Sequence, residues 1–197
     1  KSIIKQKKAK FTKPKNINVT VAKFLSEGKI VAWFQDGAEF GPRALGNRSI
    51  LCKPYPKEMK DYLNSRVKFR EEFRPFAPAV LERHQRDFFN LEQASPHMLI
   101  ACNVKKIKKE IIPAVVHIDD TCRVQTVNKK FNKKFNNLLE AFYKLTKIPV
   151  LLNTSFNIKG QPIVNTPQQA IDTFKDTNID VLVIEDYILE KKNNVKN

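Results

Sequence analysis

FNKKFNNLLEAFYKLTKIPVLLNTSFN, residues 131–157, sets an amphipathic stripe, an apolar run and a cluster of short polar side chains in direct succession. Phe135, Leu138, Leu139, Phe142 and Leu145 recur every three or four residues, which predicts a helix over 131–147 with one apolar face. Val150, Leu151 and Leu152 follow without interruption and read as a buried strand. The strand runs straight into Asn153, Thr154, Ser155 and Asn157. In sheets built from alternating helices and strands, ligands gather beyond the carboxyl ends of strands. Asn153 and Ser155 have the chemistry to hydrogen-bond a phosphate or a carbamoyl amide. A simple Asx or Ser turn fits the same residues.

The same alternation extends outward from this stretch. Val21, Phe24 and Leu25 fall at helical spacing before Gly28, and residues 30–34 read as a buried strand closed by Gln35-Asp36-Gly37. A long loop, 39–47, leads to an apolar run at 49–52. Residues 56–67 read as a helix with Met59, Tyr62 and Leu63 on one face, 75–81 as an extended segment and 83–89 as a short helix. Residues 98–104, 114–118 and 123–127 are strand-like, and the lysines at 105, 106, 108 and 109 read as a solvated turn. Thr166-Pro167-Gln168-Gln169 has the form of a capping box, opening a helix that ends near Lys175 before a final strand at 181–184. The expectation is one α/β (α+β) domain around a mixed sheet over 19–191. Residues 1–18 read as a basic tail or linker and 192–197 as a C-terminal tail.

The formal charge of +16 in 197 residues attracts polyanions: nucleic acid, acidic lipid or a phosphate-rich substrate. Part of it sits in the lysine-rich first fifteen residues, a solvated tail. Arginines inside apolar segments are more informative, because a buried guanidinium needs a carboxylate or a phosphate. Three cysteines, Cys52, Cys102 and Cys122, lack a C-x-x-C spacing and read as small buried hydrophobes in a reducing compartment. No apolar run approaches the roughly 20 residues needed to cross a bilayer, so the expected location is the cytoplasm, with no membrane partner.

Four segments break the rules for plain core or plain surface. In Glu39-Phe40-Gly41-Pro42-Arg43-Ala44-Leu45-Gly46-Asn47-Arg48-Ser49, two of the chain's five glycines bracket Arg43. Such a loop can turn N–H groups toward an anion, or can be a structural turn with Arg43 paired to Glu39. In Lys68-Phe69-Arg70-Glu71-Glu72-Phe73-Arg74, basic and aromatic residues alternate. An extended chain would aim Lys68, Arg70 and Glu72 to one side, as an edge strand with solvated charges would also do. In the stretch from His117 to Val127, Asp119 and Asp120 beside His117 are too few ligands for a metal site. Arg123 is the better candidate, or the structural partner of one of those aspartates. The fourth segment is the 149–157 stretch. A G-x-x-x-x-G-K-[ST] loop, a G-x-G-x-x-G fingerprint and a Ser-His-Asp order are all missing, so dispersed basic residues must hold any nucleotide.

Taken together, these segments resemble the C-terminal domain of the O-carbamoyltransferases that modify antibiotics and nodulation factors. The resemblance rests on the 39–49 loop, Lys68-Phe69-Arg70, Phe73-Arg74-Pro75-Phe76-Ala77-Pro78, Arg123-Val124-Gln125-Thr126-Val127 and the 150–157 stretch, in that order, over about residues 30–189. It implies a YrdC-like fold, a twisted mixed sheet with helices around a basic concave pocket. It also implies a transferase: ATP and carbamoyl phosphate give carbamoyl adenylate with release of pyrophosphate. A separate N-terminal domain, which holds the family's transfer-site metal, then passes the carbamoyl group to a hydroxyl. The residues carried over are Arg43, Lys68 and Arg74 as catalytic, and these three with Arg123, Asn153 and Ser155 as substrate- and nucleotide-binding. No metal ligand is carried over, and Mg2+ is expected to come with ATP. Asp36-Gly37, His97 and Asp120 depart from the residues usual in the family. The alternative is an RNA- or nucleic-acid-binding basic module, in which Phe69, Phe73 and Phe76 interleave with cations as stacking platforms. It lacks a recognised motif. A domain that has lost catalysis and serves as an interaction surface is a third reading, opposed by the retained cations.

Overall fold

Val31, Ala32, Trp33 and Phe34 are all buried, and alternate residues serve opposite layers: Val31 and Trp33 join one apolar cluster, Ala32 and Phe34 the other. A strand covered on both faces has no polar side, which is why the apolar runs of this sequence are continuous. The computed structural model describes residues 11–191. Eight strands, β1 (Val31–Phe34), β2 (Arg48–Cys52), β3 (Ala77–Leu81), β4 (Ile100–Asn103), β5 (Thr121–Val127), β6 (Val150–Ser155), β7 (Val181–Ile184) and β8 (Tyr187–Glu190), form one sheet. Its order is β4-β5-β3-β6-β2-β1-β7-β8. β1/β7 and β3/β5 pair parallel and the other neighbours antiparallel, so the sheet is mixed as expected.

The helices are α1 (Ile17–Ser26), α2 (Met59–Leu63), α3 (Gln85–Phe88), α4 (Lys133–Thr146) and α5 (Pro167–Lys175). α1 and α4 cover one face, burying Val21, Leu25, Phe135, Leu138, Leu139 and Phe142 with Trp33, Leu51 and Leu151. α5 covers the other with Ala170, Ile171 and Phe174. Caps fix the helix starts: the Asn132 side chain accepts from the Phe135 N–H at 2.9 Å, and Thr166 with Gln169 closes the capping box read from the sequence. α4 begins only at Lys133, so the sheet beyond its N-terminus is left for the 39–47 loop to cover. Arg123 and Gln125 share a face with Val127, and Asn153 and Ser155 with Leu151; both faces are the α4 face.

Several expectations are corrected. Residues 114–118 are not a strand; Pro113–Val115 form a 3-10 turn held by the Ala114 N–H on the Pro54 carbonyl. The helix expected over 56–67 is shorter, because α2 passes into a π-turn, Asn64–Lys68, and Tyr62 points to solvent. Residues 68–74 are not extended: Phe69 takes φ 49°, reversing the chain just after Lys68. β8 has no forewarning in the sequence reading, since its residues alternate weakly. Leu145, assigned to the apolar stripe of α4, is 55% exposed. Ile17 and Asn18 belong to α1, and Thr12 bridges to Ile188 of β8, so the fold starts before residue 19. Residues 1–10, the rest of the basic tail, and the C-terminal tail 192–197 lie outside the described residues. Cys102 and Cys122, distant in sequence, face each other across β4 and β5.

Candidate functional site

The 39–47 loop is shaped from within by one carboxylate. Glu39 Oε1 accepts from the backbone N–H groups of Leu45, Asn47 and Arg48 at 2.6, 2.7 and 3.2 Å. Glu39 is therefore occupied, and Arg43 forms no ion pair among the described residues, which sets aside the pairing with Glu39. Gly46, at φ 108°, lies so close to Phe135 of α4 that an added Cβ would stand 2.3 Å from the ring. From the sheet side, Gln125 Nε2 donates to the Leu45 carbonyl at 2.8 Å and Asn153 Nδ2 to the Ala44 carbonyl at 3.0 Å. Arg48 turns inward, gripping the carbonyls of Gln35, Asn47 and Asp36 and stacking over Phe34 at 3.5 Å.

Held this way, the loop forms one wall of a hollow of about 120 Å³ lined by Arg43, Arg70, Met98, Arg123, Asn153 and Ser155, among others. Three of these are cations, and among the described residues no carboxylate lines the space. Arg123, on β5, does not pair with its neighbouring aspartates. Asp119 accepts from the Thr121 hydroxyl at 2.7 Å, and Asp120 pairs with Lys109 at 2.6 Å. Arg123 Nε is buried without a partner among the described residues, and burial, then the nearby Arg43 charge, holds its pKa below the usual arginine range. Arg70 is fixed by Asn64 Oδ1 at 2.7 Å and lies over Phe76 at 4.7 Å; burial foremost lowers its pKa as well. Unpaired guanidiniums at partly buried positions are costly unless an anion joins them.

Lys68 stands behind this lining. It is 4% exposed, and its ammonium donates to the Ser155 carbonyl at 2.9 Å, the Asn157 carbonyl at 2.8 Å and Asn157 Oδ1 at 2.7 Å. Burial, then the charges of Arg70 and Arg74, brings its pKa down to about 7. The Ser155 hydroxyl closes the network on Asn157 Oδ1 at 2.7 Å. Arg74 is exposed, pairs with Glu71 at 3.7 Å and does not line the hollow.

Of the six residues singled out from the sequence, Arg43, Arg123, Asn153 and Ser155 thus line one space. Lys68 touches that space through Ser155, and Arg74 lies to one side. The reading passed over Arg70, Gln125 and Asn157. Both Arg70 and Asn157 stand two residues beyond a chosen one, in the quoted Lys68-Phe69-Arg70 and Ser155-Phe156-Asn157 stretches. Phe76 is buried, which leaves only Phe69 and Phe73 of the aromatic trio open to solvent. Among the described residues no group of three or more His, Cys, Asp or Glu could hold a metal ion, and no helix is long and apolar enough to cross a membrane. A larger groove of about 860 Å³ between α1 and α4 mixes Lys23, Lys129 and Lys144 with Glu27 and Glu140, so it lacks concentrated charge of one sign.

The family described as Carbamoyltransferase C-terminus matches residues 22–191. Nodulation protein NolO of Bradyrhizobium diazoefficiens is 42% identical over 180 residues, which cover 90% of this chain and 33% of NolO. The chain spans about a third of the length of the curated relatives it matches. Full-length HypF, solved in a phosphate- and nucleotide-bound form, superposes with TM-score 0.58 at 20% identity, covering 89% of this chain and 22% of HypF. Sua5 of P. abyssi, complexed with L-threonine, gives TM-score 0.57 at 16% identity over 85% of this chain and 46% of Sua5. The fold is the YrdC-like one the resemblance implied.

Proposed function

Since the chain belongs to the carbamoyltransferase C-terminus family, we propose that its arginine-lined hollow binds carbamoyl phosphate beside ATP and forms carbamoyl adenylate. The observation that carries this reading is the convergence of Arg43, Arg70 and Arg123 on a space with no carboxylate. A volume of about 120 Å³ suits one small anion, whereas sites for drug-sized ligands run to about 300–1,000 Å³. The nucleotide would therefore lie across the mouth with its phosphates toward the arginines. That a fold relative holds phosphate and nucleotide supports the assignment.

The chain's residues have two tasks. The guanidiniums offset the repulsion between two polyanionic reactants, so that both occupy one site in a fixed orientation. They also stabilise charge gathering on the departing pyrophosphate. Carbamoyl adenylate retains neither the phosphate of carbamoyl phosphate nor the β- and γ-phosphates of ATP, so one phosphate and one pyrophosphate leave per turnover and one water is consumed: water would cleave carbamoyl phosphate to carbamate and phosphate, and a carbamate oxygen would then displace pyrophosphate from the α-phosphorus of ATP. Mg2+ would enter with ATP, held by phosphate oxygens. Arg74 would act at the mouth, on the nucleotide side. Transfer to a hydroxyl would fall to a further, N-terminal domain of the full protein, in the cytoplasm.

The test is a phosphate and pyrophosphate assay on the chain with both substrates. Equal amounts of the two products, each requiring ATP and carbamoyl phosphate together, are expected, and Arg43→Ala should weaken binding of both ligands about 10- to 150-fold. Absence of binding and of both products would overturn the proposal.

Lys68 gives a second expected outcome. An anion arriving beside Arg70 and Arg123 raises the pKa of a neighbouring ammonium that starts at about 7. Binding should therefore take up protons near pH 7.5–8.5, and affinity should fall as pH rises through 7; well below 7 the lysine is already charged and uptake ceases. Calorimetry in buffers of different ionisation enthalpy measures the uptake, which Lys68→Met should abolish.

A further inference from the structure

Cys102 of β4 and Cys122 of β5 are direct partners in an antiparallel ladder. Residues so placed have Cα atoms about 4.5–5.5 Å apart, inside the span of about 4.4–6.8 Å that a disulfide bridges. Both side chains point to the α5 face, where Cys122 belongs to the apolar cluster and Cys102 packs against it. The Cys122 thiol lies within hydrogen-bonding reach of the Cys102 carbonyl, at 3.7 Å, and of the Cys102 sulfur. Strand register has thus already brought together two thiols that an unfolded chain would have to find by closing a loop.

The two sulfurs are not equivalent. Cys122 is 0% exposed, whereas Cys102 is half-buried, on the strand that ends the sheet, between the exposed Ala101 and Asn103. The contact from the Cys122 thiol holds the Cys102 pKa below the usual thiol range, so Cys102 supplies the thiolate. Cys52 is fully buried in β2, within the sheet, and burial pushes its pKa up, which keeps it out of exchange.

We propose that Cys102 and Cys122 are a redox-active dithiol that exchanges with small disulfides such as oxidised glutathione, and that closing the bond loosens the anion hollow. The Cys102 thiolate attacks one sulfur of oxidised glutathione; one glutathione leaves and takes up the proton that Cys102 lost. Cys122 then gives up its proton and attacks the Cys102 sulfur, and the second glutathione leaves as a thiol. Two protein thiols are oxidised and one small disulfide is reduced to two thiols. The coupling rests on the anion-binding reading of the hollow given above. Cβ atoms of opposed strand residues, about 4.5–5.5 Å apart, must close to about 3.8 Å in a disulfide. The strands therefore tilt together on the α5 face and splay on the α4 face, where the next pair in register is Ala101 and Arg123. Arg123 lines the hollow, as does Met98 just ahead of β4. A guanidinium grips an anion through aligned N–H groups, so splaying weakens the grip. By linkage, a bound anion resists oxidation to the same degree.

The test equilibrates the whole chain with mixtures of oxidised and reduced glutathione and reads thiol count and intact mass. The expected end point keeps one thiol of three, loses the mass of two hydrogens and yields a peptide joining Cys102 to Cys122; reduced glutathione reverses it. Cys122→Ser should accumulate one glutathione on Cys102, because the resolving thiol is gone, and Cys102→Ser should stay largely reduced. Calorimetry with pyrophosphate should show the oxidised chain binding at least about fivefold more weakly than the reduced one. At fixed reduced glutathione, saturating pyrophosphate should raise the oxidised glutathione needed for half conversion by the same factor. An unaltered chain that keeps all three thiols, or a disulfide that involves Cys52, overturns the dithiol. Equal pyrophosphate affinity in both forms overturns the coupling. If pyrophosphate does not bind the reduced chain, the anion reading fails and the coupling with it, while the thiol count still decides the dithiol.

Discussion

Gly46→Ala should lower the melting temperature by about 6–12 °C, and with it the affinity for any anion in the hollow. The new Cβ would meet Phe135 Cδ1 at 2.3 Å, Cγ at 2.6 Å and Cβ at 2.9 Å. These atoms are near the root of a fully buried side chain on α4 and cannot swing aside. Overpacking of this kind costs about 1–3 kcal/mol. A side chain at φ 108° adds strain of about 1–3 kcal/mol. A sum of about 3 kcal/mol or more, at about 2–4 °C per kcal/mol for a domain of this size, gives the expected shift. The loop that would have to move carries Arg43, so stability and binding should fall together. An unchanged melting curve would mean that the loop does not pack against α4 as described.

Arg123→Met should separate the same two quantities. Anion affinity is expected to fall about 10- to 150-fold, the range for losing charge-assisted hydrogen bonds worth about 1.5–3 kcal/mol. Stability should hold or rise, because the substitution removes a guanidinium that has no carboxylate partner, a buried unsatisfied Nε and repulsion from Arg43. Urea denaturation with and without carbamoyl phosphate reads both effects: a midpoint at or above that of the unaltered chain without ligand, and little or no ligand-induced shift. A variant that loses stability without ligand would show Arg123 to be a structural residue of β5.

The opposite signs expected at Gly46 and Arg123 reflect how the site is assembled. The loop around Gly46 is a scaffold satisfied by its own bonds: Glu39 to three N–H groups, and Gln125 and Asn153 to two carbonyls. The hollow it frames is left unsatisfied by the same contacts: among the described residues its arginines lack counter-charges and an amide oxygen lacks a donor. Local rules broken in this way are what the proposed anion site requires, since the ligand would supply the missing partners.

The sequence by itself determined what depends on near neighbours. Periodicity placed α1 and α4, the run from Val150 to Leu152 placed β6, and Thr166 with Gln169 placed the start of α5, because stripes, runs and caps are settled within a few residues. Residue order also named Arg43, Arg123, Asn153 and Ser155. The tertiary structure alone decided which cations share a space. A strand-like alternation at 68–74 gave no sign of the π-turn and left-handed Phe69 that send Lys68 behind Ser155, bring Arg70 to the hollow and leave Arg74 with Glu71. Nor could the residue pattern orient the amide of Asn153, which depends on Ala44 and Leu45, more than a hundred positions away, and on Gln125. Chain direction and amide orientation are settled by partners far off in sequence, so they exist only once the sheet has closed.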